Sequence, residues 1–564
     1  MLNNYSLSLQ QERRWQYLAG FFCLFVYGGS LFFPLMDKDA AHHANIALYM
    51  YEHNDWVSLV DRQKDYLDKP HFLFWSSLLS FKLFGVNTFA HRLPAVLFAL
   101  LSILSTYKLS THLSGKRTAR IAALMLATGQ AFVLAINDAR METPLTAGII
   151  TAIWQLVLYV DKNKFIHLVL AALAAAMAFA TKGWLGPVVV FISIFFYLLT
   201  SRKWKVLASP LTWLFIPLFF VFISPVLYAY YLQYDLHPEK VIRGQSGRSG
   251  LGFILWKQLF ERAGGFDVKG RNSEYFFLYH TFLWAFLPWS LIAYAALFYW
   301  LRRIVYLKKW KRPLGFAPLA FSFILFSISF SKFKMPHYII MLLPLAAIFT
   351  APYLRAALRK RAGIKVYYPV QLVLTVLVIL AIVLLNYYFF PPRNVFIWVM
   401  GTALLAGLIF FAFKKLHRGQ KALYLSIALS LVLNFFLNYN FFPSLLKYQG
   451  GNELVKRMKQ EGIDVPDDKI VLLEIHSHSF DFYRNRNHQV LEMADFERGY
   501  PAVSDSYFLL SSGQAGELRA KGFAIEPLIQ QPDYNVTTVK LKFLNPATRA
   551  KNLDTLMLAR IRRS

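Results

Sequence analysis

The chain has 564 residues, 56% of them hydrophobic and 17% aromatic, and only 16% are charged. With a mean hydropathy of +0.39, that composition excludes an ordinary soluble enzyme, which at this length would divide into several more highly charged domains. The net charge of +30 does not indicate a nucleic-acid partner, because the basic residues fall in short loops between apolar runs, and the single cysteine, Cys23, rules out an internal disulfide.

The apolar runs come first in chain order. "YLAGFFCLFVYGGSLFFPL", "VQLVLTVLVILAIVLLNYYFF" and "VFIWVMGTALLAGLIFFAF" each extend about 19 or more residues without a charge, enough to cross a bilayer. The first is too long for a signal-peptide core and has no small-residue cleavage site. The pattern predicts a polytopic α-helical membrane protein with about 13 transmembrane helices. Their expected centres lie near residues 25, 100, 127, 152, 172, 192, 219, 288, 322, 347, 377, 404 and 432. Basic loops alternate along the chain: Arg13 and Arg14, then "KLSTHLSGKRTAR", "DKNK", "SRKWK", "LRRIVYLKKWKR", "LRAALRKRAGIK" and "KKLHRGQK". By the positive-inside rule these loops and the N-terminus are cytoplasmic. Residues 37–89, 137–142, 181–183, 232–275, 331–337, 390–394 and everything after 443 then lie outside. No nucleoside triphosphate is expected there, so a reaction on that face needs an already activated donor.

The segment 443–564 changes character. Helix signals ("NELVKRMKQEG", "GQAGELRAKG") alternate with strand-like runs ("KIVLLEI", "SYFLLSS", "TTVKLKF"), which predicts a soluble C-terminal α/β domain after a membrane domain over 1–442.

The outer loops carry the chemistry-bearing residues. In "MDKDAAHHANIALYM", Asp37 and Asp39 follow the first span, where one Asp suits a helix N-cap. His42 and His43 are adjacent and cannot form an i, i+4 metal pair. "DYLDKPHFLFW" sets Asp68 and Lys69 before Pro70 and an aromatic run suited to the membrane interface. Lys69 is a mobile point charge suited to phosphate; snorkelling beside an amphipathic anchor is the plain alternative. "AINDARMETPL" packs Asp138, Arg140 and Glu142 into one short loop, as a salt-bridged turn or a ligand site. Lys182 follows in "FATKGWLGP", and Lys332, Lys334, His337 and Tyr338 in "SFSKFKMPHYII". Lysines on outer loops run against the positive-inside trend, and binding phosphate at the membrane boundary would account for them. Solvated helix ends remain the alternative for any single loop. The 232–275 loop, with "RGQSGRSG" and "GGFDVKGRNSEY", has the glycines and charge of a lid over such a cavity.

Taken together, "DAAHHANIALYMYEHNDWVSLV", "YLDKPHFLFWSSLLSFKLFGVNTFAHRLPAVLFAL", "TKG" at 181–183, "LPWS" at 287–290 and "SKFKMPHYIIMLLP" at 331–344 resemble the GT-C glycosyltransferases. Within them, the lipid A 4-amino-4-deoxy-L-arabinose transferases and the protein O-mannosyltransferases are the most similar, over residues 30–345. The resemblance implies a catalytic carboxylate at Asp39, with Glu142 or Asp138 as the acidic residue of the second outer loop. It implies donor-phosphate binding by Asp68, Lys69, Arg140, Lys332, Lys334 and Tyr338. The chain departs from the family pattern at Ala40, Asp68, His71 and His337, which bears on the donor sugar rather than on the reaction.

The expected function is transfer of one sugar from a polyprenyl-phosphate donor, with inversion, at the outer face of a bacterial inner membrane. Lipid A or a related envelope glycolipid is the expected acceptor, and a protein hydroxyl the alternative. The expected partners are donor, acceptor and membrane lipids, with no nucleic acid and an open oligomeric state. A divalent metal joining Asp39 and Glu142 is left open. A transporter or flippase for anionic lipid is the rival of another class, but it predicts inverted repeats and paired broken helices, which the sequence lacks.

Overall fold

The computed structural model describes residues 8–264, 274–306, 313–357, 361–414, 416, 418–503 and 505–563. The "GGFDVKGRNSEY" half of the expected lid lies almost wholly outside them. Among the described residues, eight helices are long and apolar enough to cross a membrane, and a ninth span forms if Lys116–Ala127 and Gln130–Asn137, bent by 54°, are counted as one. Among the described residues, the expected count of about thirteen is therefore not confirmed. Every expected centre except residue 288 falls in a helix, but several helices are short or interrupted. Leu185–Ser201 and Pro313–Ser329 are short apolar helices, and the span expected around 288 divides into Phe277–Ala285 and Ser290–Val305.

One helical hairpin fixes much of the site. Helix Glu142–Lys162 turns at Asn163, in the left-handed region, and returns as Phe165–Lys182. The faces in contact carry small residues: a Cβ at Gly148 would fall 2.8 Å from the Ala174 carbonyl oxygen. Small residues let two helix backbones approach closely where no water drives association. The antiparallel pairing brings the first residue of one helix, Glu142, level with the last residue of the other, Lys182.

The C-terminal portion folds around a five-stranded mixed sheet in the order Gln489–Leu491, Ile470–Leu473, Tyr507–Ser511, Asp554–Arg563, Phe523–Asp533. The first three strands are parallel and the last two antiparallel to their neighbours. The helix signals form Gly450–Glu461 and Ser512–Ala520, and two of the strand-like runs form strands. "TTVKLKF" does not. It makes a turn and the short helix Leu541–Leu544, because Val536 and Phe543 bury against Phe33, Phe389, Phe390 and Phe442 at the ends of the membrane helices.

This unit docks closely on the first outer loop. Gln449 donates to the Leu35 carbonyl at 2.9 Å and accepts from the Asp37 amide at 3.0 Å. Asp37 does not cap its own helix. Its carboxylate accepts from the Ser479 amide at 2.5 Å, in the first turn of His478–Arg484. The His42 ring stacks on His478 at 4.5 Å, and Arg62 lies 3.8 Å from buried Asp481.

Candidate active site

Short segments from five parts of the chain converge on a cleft of about 240 Å³. The turn Asp37–Ala41 supplies Asp39, and the helix after it supplies His42 and His43. The loop before Phe72–Phe84 supplies Tyr66, Asp68 and Lys69; the second outer loop, Arg140, Met141 and Glu142; the hairpin end, Lys182; and residues 333–338, Phe333, Met335, His337 and Tyr338.

Arg140 organises the floor. Its guanidinium reaches Asp39 at 2.6 Å and Asp138 at 2.8 Å, and donates to His337 Nδ1 at 3.1 Å. Burial disfavours its charge, but Asp138, Asp39 and Glu142 outweigh that and raise its pKa. Asp138 is buried behind Arg140, outside the cleft lining. Burial pushes its carboxyl up to about 6, with Asp39 adding repulsion and Arg140 pulling the other way. Asp39 is different: its side chain is 47% exposed and open to a ligand. Glu142 is buried, ion-paired with Lys182, and lies 3.5 Å from His337 Nε2. Lys182 also lies over the Tyr338 ring at 5.2 Å. Between the two acids the sequence left open, Glu142 lines the cleft and Asp138 backs its arginine.

The described part of the 232–275 loop reaches the rim. Val241–Ile242 and Gln245–Ser246 form a small hairpin whose turn places Arg243 and Gly244 in the left-handed region. From that turn Arg243 pairs with Asp68 and approaches Glu261 at 3.7 Å.

Lys332 and Lys334 differ from expectation: neither lines the cleft. The segment 331–335 is neither helix nor strand and bends at Lys332 and Phe333. Phe333 and Met335 take the cleft side. Lys334 is buried elsewhere, donating to the Ser329 carbonyl and lying 5.4 Å from the Tyr275 ring. Sequence reasoning missed Tyr66, Met141, Phe333 and Met335, which carry no charge to mark them. It weighed His42 and His43 as a metal pair, which their adjacency disfavours, and otherwise as part of a solvated helix start. Burial, then the charges of His42 and Lys69, hold His43 well below its ordinary pKa, as a neutral group.

A metal joining Asp39 and Glu142 does not fit: Arg140 engages the first, and Lys182 and His337 the second. His42, Asp61 and His478 do bring ligand atoms within 4.8 Å of one another. The positive charge of Arg62 acts on His478, however, and opposes a cation there.

Beside the cleft, helices Phe72–Phe84 and Thr88–Ser114 enclose an apolar groove of about 840 Å³. Trp56, Phe72, Trp75, Leu79, Leu97 and Phe98 line it, and Phe72 is three residues from Lys69.

The family of dolichyl-phosphate-mannose-protein mannosyltransferases matches residues 68–229. An undecaprenyl phosphate-alpha-4-amino-4-deoxy-L-arabinose arabinosyl transferase from Pseudomonas aeruginosa is 26% identical over 349 residues, covering 60% of this chain and 59% of its own. The chain thus spans less than two thirds of this curated relative's length. The crystal structure of ArnT from Cupriavidus metallidurans bound to undecaprenyl phosphate superposes with a TM-score of 0.73 at 16% identity, over 96% of this chain and 98% of that one. The chain has the fold of ArnT and is similar in sequence to the ArnT and mannosyltransferase families. The GT-C likeness extends, more distantly, to the apo oligosaccharyltransferase of Archaeoglobus fulgidus, with a TM-score of 0.50 at 13% identity over 84% of this chain and 65% of that one.

Proposed function

We propose that this GT-C protein moves a single sugar from a polyprenyl-phosphate donor to lipid A or a related envelope glycolipid. The reaction takes place at the outer face of the bacterial inner membrane. The N-terminus is cytoplasmic, residues 1–442 form the membrane domain, and 443–564 lie on the periplasmic side. One observation carries the reading: the cleft of cations and carboxylates opens beside a groove lined almost wholly by apolar side chains. A polyprenyl phosphosugar is an amphiphile that needs both at once. Its isoprenoid chain fits the Phe72–Trp75 groove while its phosphate meets Lys69 and Arg140.

The acceptor oxygen attacks the anomeric carbon as the bond from that carbon to the donor phosphate breaks. The bonding electrons leave with the phosphate, and the centre inverts. Lys69 and Arg140 stabilise the departing phosphate in a site partly shielded from water, where fixed charge is most effective. Glu142, held by Lys182 and His337, keeps the second loop in register. An acceptor that is already a phosphate anion needs no base, and Asp39 then positions it. A protein hydroxyl is the second reading, favoured by the mannosyltransferase match over residues 68–229. In that case Asp39 takes the hydroxyl proton as general base.

Mass spectrometry of lipid A and other envelope glycoconjugates tests the proposal in cells with the intact protein, a deletion, Asp39→Ala or Lys69→Ala. Loss of one sugar mass from lipid A in all three altered strains supports it. Loss from glycoproteins instead favours the second reading. Unchanged glycoconjugates with normally expressed variants would refute transferase activity and favour lipid transport.

A further inference from the structure

A second pocket, of about 440 Å³, lies away from the catalytic cleft and shares no residue with it. The end of helix Val366–Phe389, the start of Val395–Phe413, residues 439–448 and Arg549 of the C-terminal portion enclose it. It lies at the same end of the bundle as the cleft, because Gln449, next to its Tyr448, is bonded to Leu35 and Asp37.

Its charge differs in kind from that of the cleft. Arg393, Lys447 and Arg549 line it, and among the described residues no aspartate or glutamate does. In the cleft, by contrast, Arg140 and Lys182 both have carboxylate partners. Arg549 is fixed by neutral acceptors: it donates to the carbonyls of Phe389, Phe543 and Leu544 and to the Tyr448 hydroxyl, and its guanidinium lies 4.3 Å from the Phe390 ring. Those groups orient the charge without neutralising it. Arg393 and Lys447 stand exposed at the mouth. Around them the protein surface is that of a membrane boundary: Tyr387, Tyr388, Phe396 and Trp398 are exposed, and both helices leave most of their apolar surface uncovered. Three cations facing one cavity repel each other and need an anion, and the apolar, aromatic surroundings select one that brings a hydrocarbon tail.

We propose that this pocket binds the phosphate headgroup of an anionic membrane lipid, with the acyl chains lying along the exposed faces of Val366–Phe389 and Val395–Phe413. Arg549 is the fixed donor, and Arg393 and Lys447 close on the phosphate from the mouth. The bound lipid would join the ends of two membrane helices to the C-terminal portion, which meet at Phe389, Phe390 and Phe543.

The test is native mass spectrometry of the full-length protein, delipidated in detergent and titrated with phosphatidylglycerol or phosphatidylcholine. The variants are Arg393→Gln with Lys447→Gln, and the charge-preserving Arg393→Lys with Lys447→Arg. The intact protein should retain phosphatidylglycerol in preference to phosphatidylcholine. The glutamine pair should weaken that retention about 30-fold, from roughly 1 kcal/mol per basic residue near a charged lipid. The charge-preserving pair should restore it. Equal retention by the glutamine pair, or equal retention of phosphatidylcholine, would overturn the proposal. Displacement of the lipid by an equal concentration of inorganic phosphate would overturn it in favour of a free anion.

Discussion

Arg140→Gln separates the catalytic from the structural role of the cleft. Arg140 neutralises half-exposed Asp39 at 2.6 Å and buried Asp138 at 2.8 Å. Removing one partner of a buried ion pair usually costs about 3–5 kcal/mol, because the other charge is stranded. Here the cost is smaller, because Asp138 has an escape. It titrates at about 6, so at pH 7 its ionised form is favoured by only about 1.4 kcal/mol. Once Arg140 is gone, its pKa rises further and it takes up a proton instead of remaining a stranded charge. Asp39 is screened by solvent and adds little. The variant should therefore lose about 1–2 kcal/mol of stability at pH 7, while its transfer rate falls about 100- to 1000-fold, as on loss of one donor to a developing anion. The sign with pH follows from linkage. A carboxyl whose folded pKa lies above its unfolded value binds more protons when folded, so its effect on stability worsens as pH rises between the two. The stability deficit of Arg140→Gln should grow from pH 6 to pH 8, and Asp138→Asn in the same chain should abolish that slope without restoring activity. Thermal unfolding in detergent across this range, with transfer measured on a radiolabelled lipid donor, reads both quantities. A near-normal rate in Arg140→Gln, or a slope that survives Asp138→Asn, would refute the reasoning.

Asp138 also predicts a pH effect on donor binding. As pH falls through about 6 it loses its charge, so Arg140 faces one anion fewer, while the donor phosphodiester keeps its single charge. Donor affinity should rise between pH 7 and pH 5 in the intact protein and stay high and flat in Asp138→Asn, by equilibrium titration with a polyprenyl phosphosugar. Arg243→Ala should free the rim loop from Asp68, raising the donor KM about fivefold with kcat and stability little changed, since both side chains of that pair are partly exposed. His488→Ala should destabilise the C-terminal portion by about 3–5 kcal/mol, because Asp481 is fully buried and His488, at 2.8 Å, is its direct ion-pair partner. Burial lowers the pKa of His488, but Asp467 and Asp481 outweigh this and raise it, so its contribution is complete at acidic pH and fades as pH rises through the raised value. Limited proteolysis of the full-length protein at pH 6 and pH 8 would show whether that difference exists.

What the sequence made legible was mostly charge in unexpected places. Lys69, Arg140, Glu142, Lys182 and Tyr338 stood out because ionisable groups on short outer loops demand a reason, and all of them line one cleft. What it hid were matters of direction and of long-range partnership. In 331–335 the lysines drew attention, yet Phe333 and Met335 line the cleft instead, and composition carries no mark of which side chains of an irregular segment face inward. One of Asp37 and Asp39 read as a cap for the helix that follows, yet the Asp37 carboxylate accepts from the Ser479 amide, more than 400 residues away. His42 read as a solvated or metal-seeking residue, and it stacks on His478. These last two long-range contacts tie the turn that carries Asp39 directly to the C-terminal portion. That portion therefore helps to fix the position of the turn carrying Asp39, the proposed catalytic carboxylate. A substitution at Ser479 or His478 should then change turnover through Asp39, although neither residue lines the cleft.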